Sequence, residues 1–273
     1  MNNPVLEAKI RDTGYVKVPF FSSEEVDEIS SFYNSNTNDL GKGYHSTMFS
    51  KDSDYRKRVH NFLKAKVTSG INHYLFKYHP VVATFLVKET EGETVVNLHA
   101  DWCLTDETKY QSLIVWVSLV DTEDNNGALH FLPRSHHYTD KNRGHGLPFE
   151  YEKFDRQLLQ QREEIVNTKK GEALIFDLSV LHFSGHNNSN IPRLAFNIGL
   201  IPDEAPSIHI CRHELLDNDL METYEVGDDF YQHYELNKIP IFANKIGVEK
   251  YYVNGVSNSE LEQLYSSGLP ALP

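Results

Sequence analysis

Near residue 80 the hydrophobic period of the chain changes, and that change limits the fold more than any other feature of its 273 residues. Before it, Val59, Phe62, Leu63, Val67 and Ile71 recur at helical spacing and predict a helix from about Asp54 to Phe76. Upstream, GYVKVPFF (14–21) alternates as a strand, and Ser22 with Glu25 forms a capping box opening a helix through about Phe32. The segment GYHSTMF (43–49) joins these helical regions and reads as a surface loop. After the change come VVATFLVK (81–88), VVNLHADW (95–102), SLIVWVSLVD (112–121), GALHFLP (127–133), EALIFDLS (172–179) and RLAFNIGLI (193–201). These runs are short, β-branched or alternating, and separated by turn residues, so each predicts a strand. A helix from about Tyr151 to Glu164 interrupts the series, and SNSELEQLY (257–265) predicts a last short one. Many short strands with a few helices predict a mainly β fold with flanking α-helices. The expected architecture is a double-stranded β-helix, the jelly-roll or cupin-like arrangement. The expected organisation is one domain over 1–273: a helical part to about 80, a jelly-roll core at about 81–202, and a C-terminal extension at 203–273.

Charge and cysteine usage bound the partners. The 26 basic and 39 acidic residues leave a net charge of −13, which opposes binding to nucleic acid or an anionic membrane. It leaves room for a small anion, because one local arginine can override the global field. No apolar run approaches the roughly 18 residues of a membrane-spanning helix. Cys103 and Cys211 stand far apart in no metal-binding spacing, and MNNPVLEAKIRDTG has no apolar core of a signal peptide. A cytoplasmic protein acting on a small molecule is therefore expected.

His99 and Asp101 lie two apart in a strand-like run, so both project to one face while Leu98 and Ala100 take the other. An imidazole beside a carboxylate is half of a metal site. The other half is His182, which closes the strand-like ALIFDLSVLH. His186, four residues on, would pair with it on a helix, but Gly185, Asn187, Asn188 and Ser189 make a turn and leave His186 an exposed loop residue. Two histidines and one carboxylate make the facial triad that suits iron(II) and leave open metal positions for other ligands. The same three residue types also bind zinc, so the triad alone does not fix the metal.

Arg193 follows His182 by eleven residues, at the start of RLAFNIGLI. By period two it shares a face with the small or polar Ala195, Asn197 and Gly199, while Leu194, Phe196, Ile198 and Leu200 share the other. The apolar face must pack on something, and the N-terminal helices are the candidates. The small-residue face leaves room for a ligand, and a guanidinium there offers a planar fork matched to a carboxylate. By the same parity Trp116 shares a face with Ser112 and Ser118, as a cavity lining would, and Lys88 ends an apolar strand.

Taken together, these segments resemble the phytanoyl-CoA dioxygenase (PhyH) family of iron(II)- and 2-oxoglutarate-dependent oxygenases. GYVKVPFFSSEEV (14–26) resembles the family's opening, and HADW (99–102) its metal-binding HxDW segment. NNGALHFLPRSH (125–136) resembles its NGxLxxxPGSH signature, and GEALIFDLSVLHFSGHNNSNIPR (171–193) its distal-histidine block. The resemblance implies that His99, Asp101 and His182 hold Fe(II), and that Ser184 and Arg193 hold the distal carboxylate of 2-oxoglutarate, with Lys88 and Trp116 nearby. Trp102, His130 and Arg134 stand as candidates for substrate contact. Two positions depart from the family pattern: Ala100 replaces a common Gln, and Arg134 replaces the Gly of the PGSH turn.

The implied reaction couples decarboxylation of 2-oxoglutarate by O2, yielding succinate and CO2, to hydroxylation of an unactivated C–H bond. Desaturation or cyclisation would use the same ligands. Asp101 argues against halogen transfer, for which the carboxylate ligand is replaced by a small residue. A zinc hydrolase leaves Ser184 and Arg193 unexplained, and a non-catalytic cupin-like binding protein has no need of an intact triad. The family name suggests acyl-CoA, but no basic cluster offers to hold its phosphates. A small polar metabolite, an amino acid or natural-product intermediate, is the expected substrate.

Overall fold

Two antiparallel sheets with helices against one of them carry the fold. The computed structural model describes residues 1–36, 41–148, 160–213, 215–217, 219–236 and 238–251. The larger sheet has the order β1(Tyr15–Pro19), β8(Glu172–Asp177), β5(Leu113–Ser118), β10(Arg193–Pro202), β3(Tyr78–Lys88) and β2(Tyr44–Ser46). The smaller has the order β4(Val96–His99), β9(His182–Ser184), β6(Leu129–Phe131) and β7(Glu164–Val166). The two face each other across a shared apolar layer that includes Trp116, Leu129, Phe131 and Phe176. They form the expected jelly-roll arrangement without closing into a barrel.

Helices α1(Pro4–Thr13), α2(Ser23–Ser35) and α3(Ser53–Tyr74) cover the outer face of the large sheet. α2 starts at the expected capping box, with Glu25 N–H donating to Ser22 Oγ and Ser22 N–H donating to the Glu25 carboxylate. In α3, Tyr55, Val59, Leu63, Val67 and Ile71 are buried, one residue or pair per turn, so the stripe read from the sequence is the packing face. That stripe meets Leu194, Phe196, Ile198 and Leu200 of β10 in one apolar cluster. The apolar face of β10 thus packs on the helices, and its other face, with Arg193 and Asn197, turns inward. Removing one anchor of this layer, as in Phe196→Ala, costs about 3–5 kcal/mol.

Differences from expectation sit at the periphery. The loop read at 43–49 supplies strand β2 and a 3₁₀ turn, Thr47–Phe49. Of the helix expected at Tyr151–Glu164, 151–159 lie outside the described residues; 160–162 are helical and Glu164 opens β7. The segment 257–265 also lies outside them. The C-terminal extension builds a third sheet, β11(Ile208–Cys211), β12(Leu220–Glu225) and β13(Asn244–Lys250), and a short helix, Phe230–His233. Among the described residues no helix is long and apolar enough to cross a membrane.

Candidate metal centre

His99 and His182 face each other directly across the β4–β9 pair. Their ring centroids are 4.3 Å apart, and His99 Nε2 lies 3.8 Å from Asp101 Oδ1. One ligating atom from each of His99, Asp101 and His182 falls within 4.8 Å of the other two, the spacing that one metal ion bridges. Both rings are aimed by their far nitrogens: His99 Nδ1–H donates to Asn97 O (2.8 Å) and His182 Nδ1–H to Val180 O (3.0 Å). That fixes the tautomer and turns each Nε2 lone pair toward Asp101. Burial, reinforced by His99 beside it, holds the His182 pKa down at about 4, so this imidazole is neutral at pH 7.

Asp101 reaches the site by a different route from the one the period suggests. β4 ends at His99, with an irregularity between Val96 and His99, and Asp101 lies just beyond the strand. Its backbone is pinned at both ends instead. Asp101 N–H donates to Leu178 O (3.0 Å), and Arg143 Nε donates to Asp101 O (2.8 Å). Arg143 is itself buried in an ion pair with Glu107 (2.8 Å). Sequence reading missed this brace, because nothing in the pattern links positions 101, 107 and 143.

Arg193 begins β10 in register with Lys88 of β3, which is in turn in register with Tyr44 of β2. The guanidinium is buried, its carbon 5.5 Å from the centre of the Trp116 ring, and Nε and Nη1 have no hydrogen-bond partner. Burial pushes its pKa down to about 10, still charged at neutral pH. A buried charge with two unused donors is costly, and a carboxylate is the partner their geometry matches. Ser184 shares the inward face of β9 with His182, two residues on, and is buried.

Lys88 sits in the expected place with a different use. Its ammonium donates to Thr94 O (2.5 Å), Gly185 O (2.6 Å) and Ser184 O (3.3 Å), so it ties the loop after β9 to the large sheet. Gly127 makes room for it: φ is +89°, and a Cβ there would lie 2.7 Å from Lys88 Cδ. The glycine of the sequence motif is therefore packing for a buried lysine.

A cavity of about 260 Å³ opens at the metal site, and His99, Asp101, Trp102 and Tyr44 line it. Trp102 thus lies where a substrate contact would. His130 does not: parity turns it to the far side of β6 from Phe131, against Asp124 (2.9 Å) and Phe183. Arg134 also stays away, paired with Asp12 (2.8 Å). It adopts a left-handed φ of +71°, which explains why the family motif carries Gly at this turn. His186 is exposed, as read, and Cys103 is buried. Tyr44 and Tyr231, neither singled out by the sequence, belong to the cavity wall. Burial pushes the Tyr44 phenol up to about 12.

Comparison with known proteins finds the same fold in several solved enzymes. The non-haem α-ketoglutarate-dependent carbocyclase SnoK of nogalamycin biosynthesis matches with a TM-score of 0.56 at 18% identity, over 75% of this chain and 86% of its own. The epimerase SnoN, solved with Fe3+, α-ketoglutarate and nogalamycin RO, gives 0.55 at 21% identity over 75% and 85%. HygX of Streptomyces hygroscopicus, solved with nickel, 2-oxoglutarate and hygromycin B, gives 0.52 at 14% identity over 74% and 88%. At such identities the likeness is one of fold. By sequence, the phytanoyl-CoA dioxygenase domain-containing protein 1 homolog of Dictyostelium discoideum is 27% identical over 163 residues, 55% of this chain. The chain spans about half the length of that curated relative, 54%. The sequence profile of the phytanoyl-CoA dioxygenase (PhyH) family matches residues 10–195, more than half of the chain, and the protein belongs to that family.

Proposed function

We propose that the protein is an iron(II)- and 2-oxoglutarate-dependent dioxygenase, with His99, Asp101 and His182 holding the metal and Arg193 with Ser184 gripping the co-substrate. The observation that carries this reading is the pair of unpartnered, buried donors on Arg193, set near three metal-competent side chains. A lone metal site would explain the histidines, but not a buried cation with nothing to bind. The bound iron supplies activation of O2 coupled to decarboxylation of 2-oxoglutarate, releasing succinate and CO2 and oxidising a substrate C–H bond.

The chain's own part is orientation. The Asn97 and Val180 carbonyls hold the two imidazoles in the ligating tautomer. Arg143, braced by Glu107, fixes the backbone of Asp101. Trp116 stacks against Arg193 and keeps water from its guanidinium. Asp101 fills the carboxylate position, which favours hydroxylation over halogen transfer. The same reading takes residues 1–273 as one catalytic unit acting on a small molecule, and the free, buried Cys103 and Cys211 fit the cytoplasm.

Adding iron(II) and 2-oxoglutarate without oxygen is expected to give a weak visible charge-transfer band that zinc does not give. His182→Ala is expected to lose both this band and substrate-dependent succinate release. Normal turnover by that variant would overturn the assignment.

A further inference from the structure

The cavity at the metal holds little charge. Among the described residues, its wall has no Lys, Arg, His, Asp or Glu apart from His99 and Asp101. Most of the wall is hydrocarbon, including Met48, Phe49, Val82, Leu86, Leu104 and Ile114. An amino acid brings an ammonium and a carboxylate, and each would enter this wall without a counter-charge. The same lack rules against the phosphates of an acyl carrier inside the cavity.

Two hydroxyls of the wall, those of Ser46 and Thr84, are already spent. The Ser46 and Thr84 hydroxyls hydrogen-bond each other at 2.7 Å, and Thr84 Oγ1 also accepts from Met48 N–H at 2.9 Å. Asn197 is different. It lies on the inward face of β10, in register with Trp116 on one side and Thr84 on the other, and its Oδ1 is buried with no partner. Four residues along the strand separate it from Arg193, roughly 13 Å of backbone. The five carbons of a 2-oxoglutarate held at Arg193 and the metal do not extend that far. Asn197 therefore answers to the other occupant of the cavity.

We propose that the cavity takes a compact, uncharged, mainly hydrocarbon alcohol, whose hydroxyl is held by the Asn197 carboxamide. This rests on the dioxygenase reading above. A hydroxyl both donates and accepts, so it satisfies the carboxamide whichever way its oxygen and nitrogen point. The volume of about 260 Å³ sits below the roughly 300–1,000 Å³ of most ligand sites, which limits the alcohol to about one small ring. We propose this class in place of the polar metabolite expected from sequence, because His99 and Asp101 are the only charged or titratable imidazole and carboxylate groups among the described residues of the wall.

The test uses one ring with four headgroups: cyclohexanol, methylcyclohexane, cyclohexanecarboxylate and cyclohexylammonium. Binding is read by ligand-observed NMR on protein loaded with zinc(II) and 2-oxoglutarate, which binds without turnover. Cyclohexanol is expected to bind at least about tenfold more tightly than either charged analogue. Asn197→Leu is expected to weaken cyclohexanol at least about fivefold while leaving methylcyclohexane unchanged or tighter. Asn197→Ala, which removes the carboxamide without adding bulk, gives the same comparison if the leucine variant does not fold. A charged analogue that binds as well as the alcohol overturns the proposal, as does alcohol binding indifferent to residue 197. If the anaerobic iron(II) band forms with 2-oxoglutarate but these selectivities are absent, the substrate class alone falls. If the band itself is absent, the dioxygenase reading falls and takes the substrate class with it.

Discussion

Lys88 and Arg193 are buried cations standing opposite each other on neighbouring strands, and they are treated in opposite ways. The ammonium of Lys88 is surrounded by three backbone carbonyls of this chain. The guanidinium of Arg193 has an aromatic ring on one side and two nitrogens with no partner. A cation whose needs are met internally is part of the scaffold. One left with buried, unused donors is held ready for something that arrives from outside. Side by side, the two show how little the charge of a residue says about its role until its partners are counted.

The sharpest way to break this comparison is to truncate the arginine. Arg193→Ala is expected to weaken 2-oxoglutarate binding by about 2–5 kcal/mol, since a desolvated charge pair loses one partner. The ligand-free protein should be no less stable, because only an unpaired buried charge is removed. Anaerobic titration of the visible band and denaturant unfolding measure the two halves. If the variant unfolds more easily without ligand, Arg193 is scaffold after all.

Lys88→Met should do the reverse, costing about 2–4 kcal/mol of stability by stranding carbonyl groups while changing 2-oxoglutarate affinity little. Its titration gives a second handle. Burial, with Arg193 adding repulsion, pushes the Lys88 pKa from the ordinary 10.5 down to about 7. Between those values the unfolded chain keeps the proton and the folded one releases it, so this residue makes stability rise with pH from about 7 to about 10.5. Below about 7 both forms are protonated and the dependence vanishes. Urea unfolding at about pH 7 and about pH 9.5 should show the rise in the parent and its loss in Lys88→Met. A flat profile in the parent would mean that the three carbonyls hold the proton on.

The smallest effect expected is that of Trp116→Leu. Removing the ring beneath the guanidinium should weaken 2-oxoglutarate by about 1 kcal/mol, a few-fold. No change would leave Trp116 as core packing alone.

The parts of this site that could be read in the sequence are those whose side chains follow a strand's period. Arg193 and the apolar face of β10 are legible because one strand alternates without a break from Arg193 to Gly199. His182 is legible as the end of an apolar run. Strand parity is an incomplete reason for Asp101 to lie beside His99, since it falls past the strand end and is held there by Leu178 and Arg143. Residues brought in by short strands and distant loops leave no such trace. Tyr44 sits in a strand of three residues, and Tyr231 in a helix of four. Neither is long enough for a period to show. Lys88 shows the remaining limit: its location could be read, but the carbonyls that occupy it come from positions 94, 184 and 185, and backbone acceptors have no sequence signature.

The division of the site between two sheets has a mechanical consequence. His99 and His182 sit on the small sheet and Arg193 on the large one. In the proposed reading, one molecule of 2-oxoglutarate is fastened at both and acts as a tie-rod across the sandwich. At a hundredfold excess over its dissociation constant such a ligand adds about 2.7 kcal/mol to the resistance to unfolding. Succinate keeps the carboxylate for the arginine, but its new carboxylate replaces the paired keto and carboxylate oxygens that 2-oxoglutarate would offer the metal, so in this reading the rod would be held less firmly at that end after each turnover. In that reading the sandwich would be least braced just as the spent co-substrate has to leave.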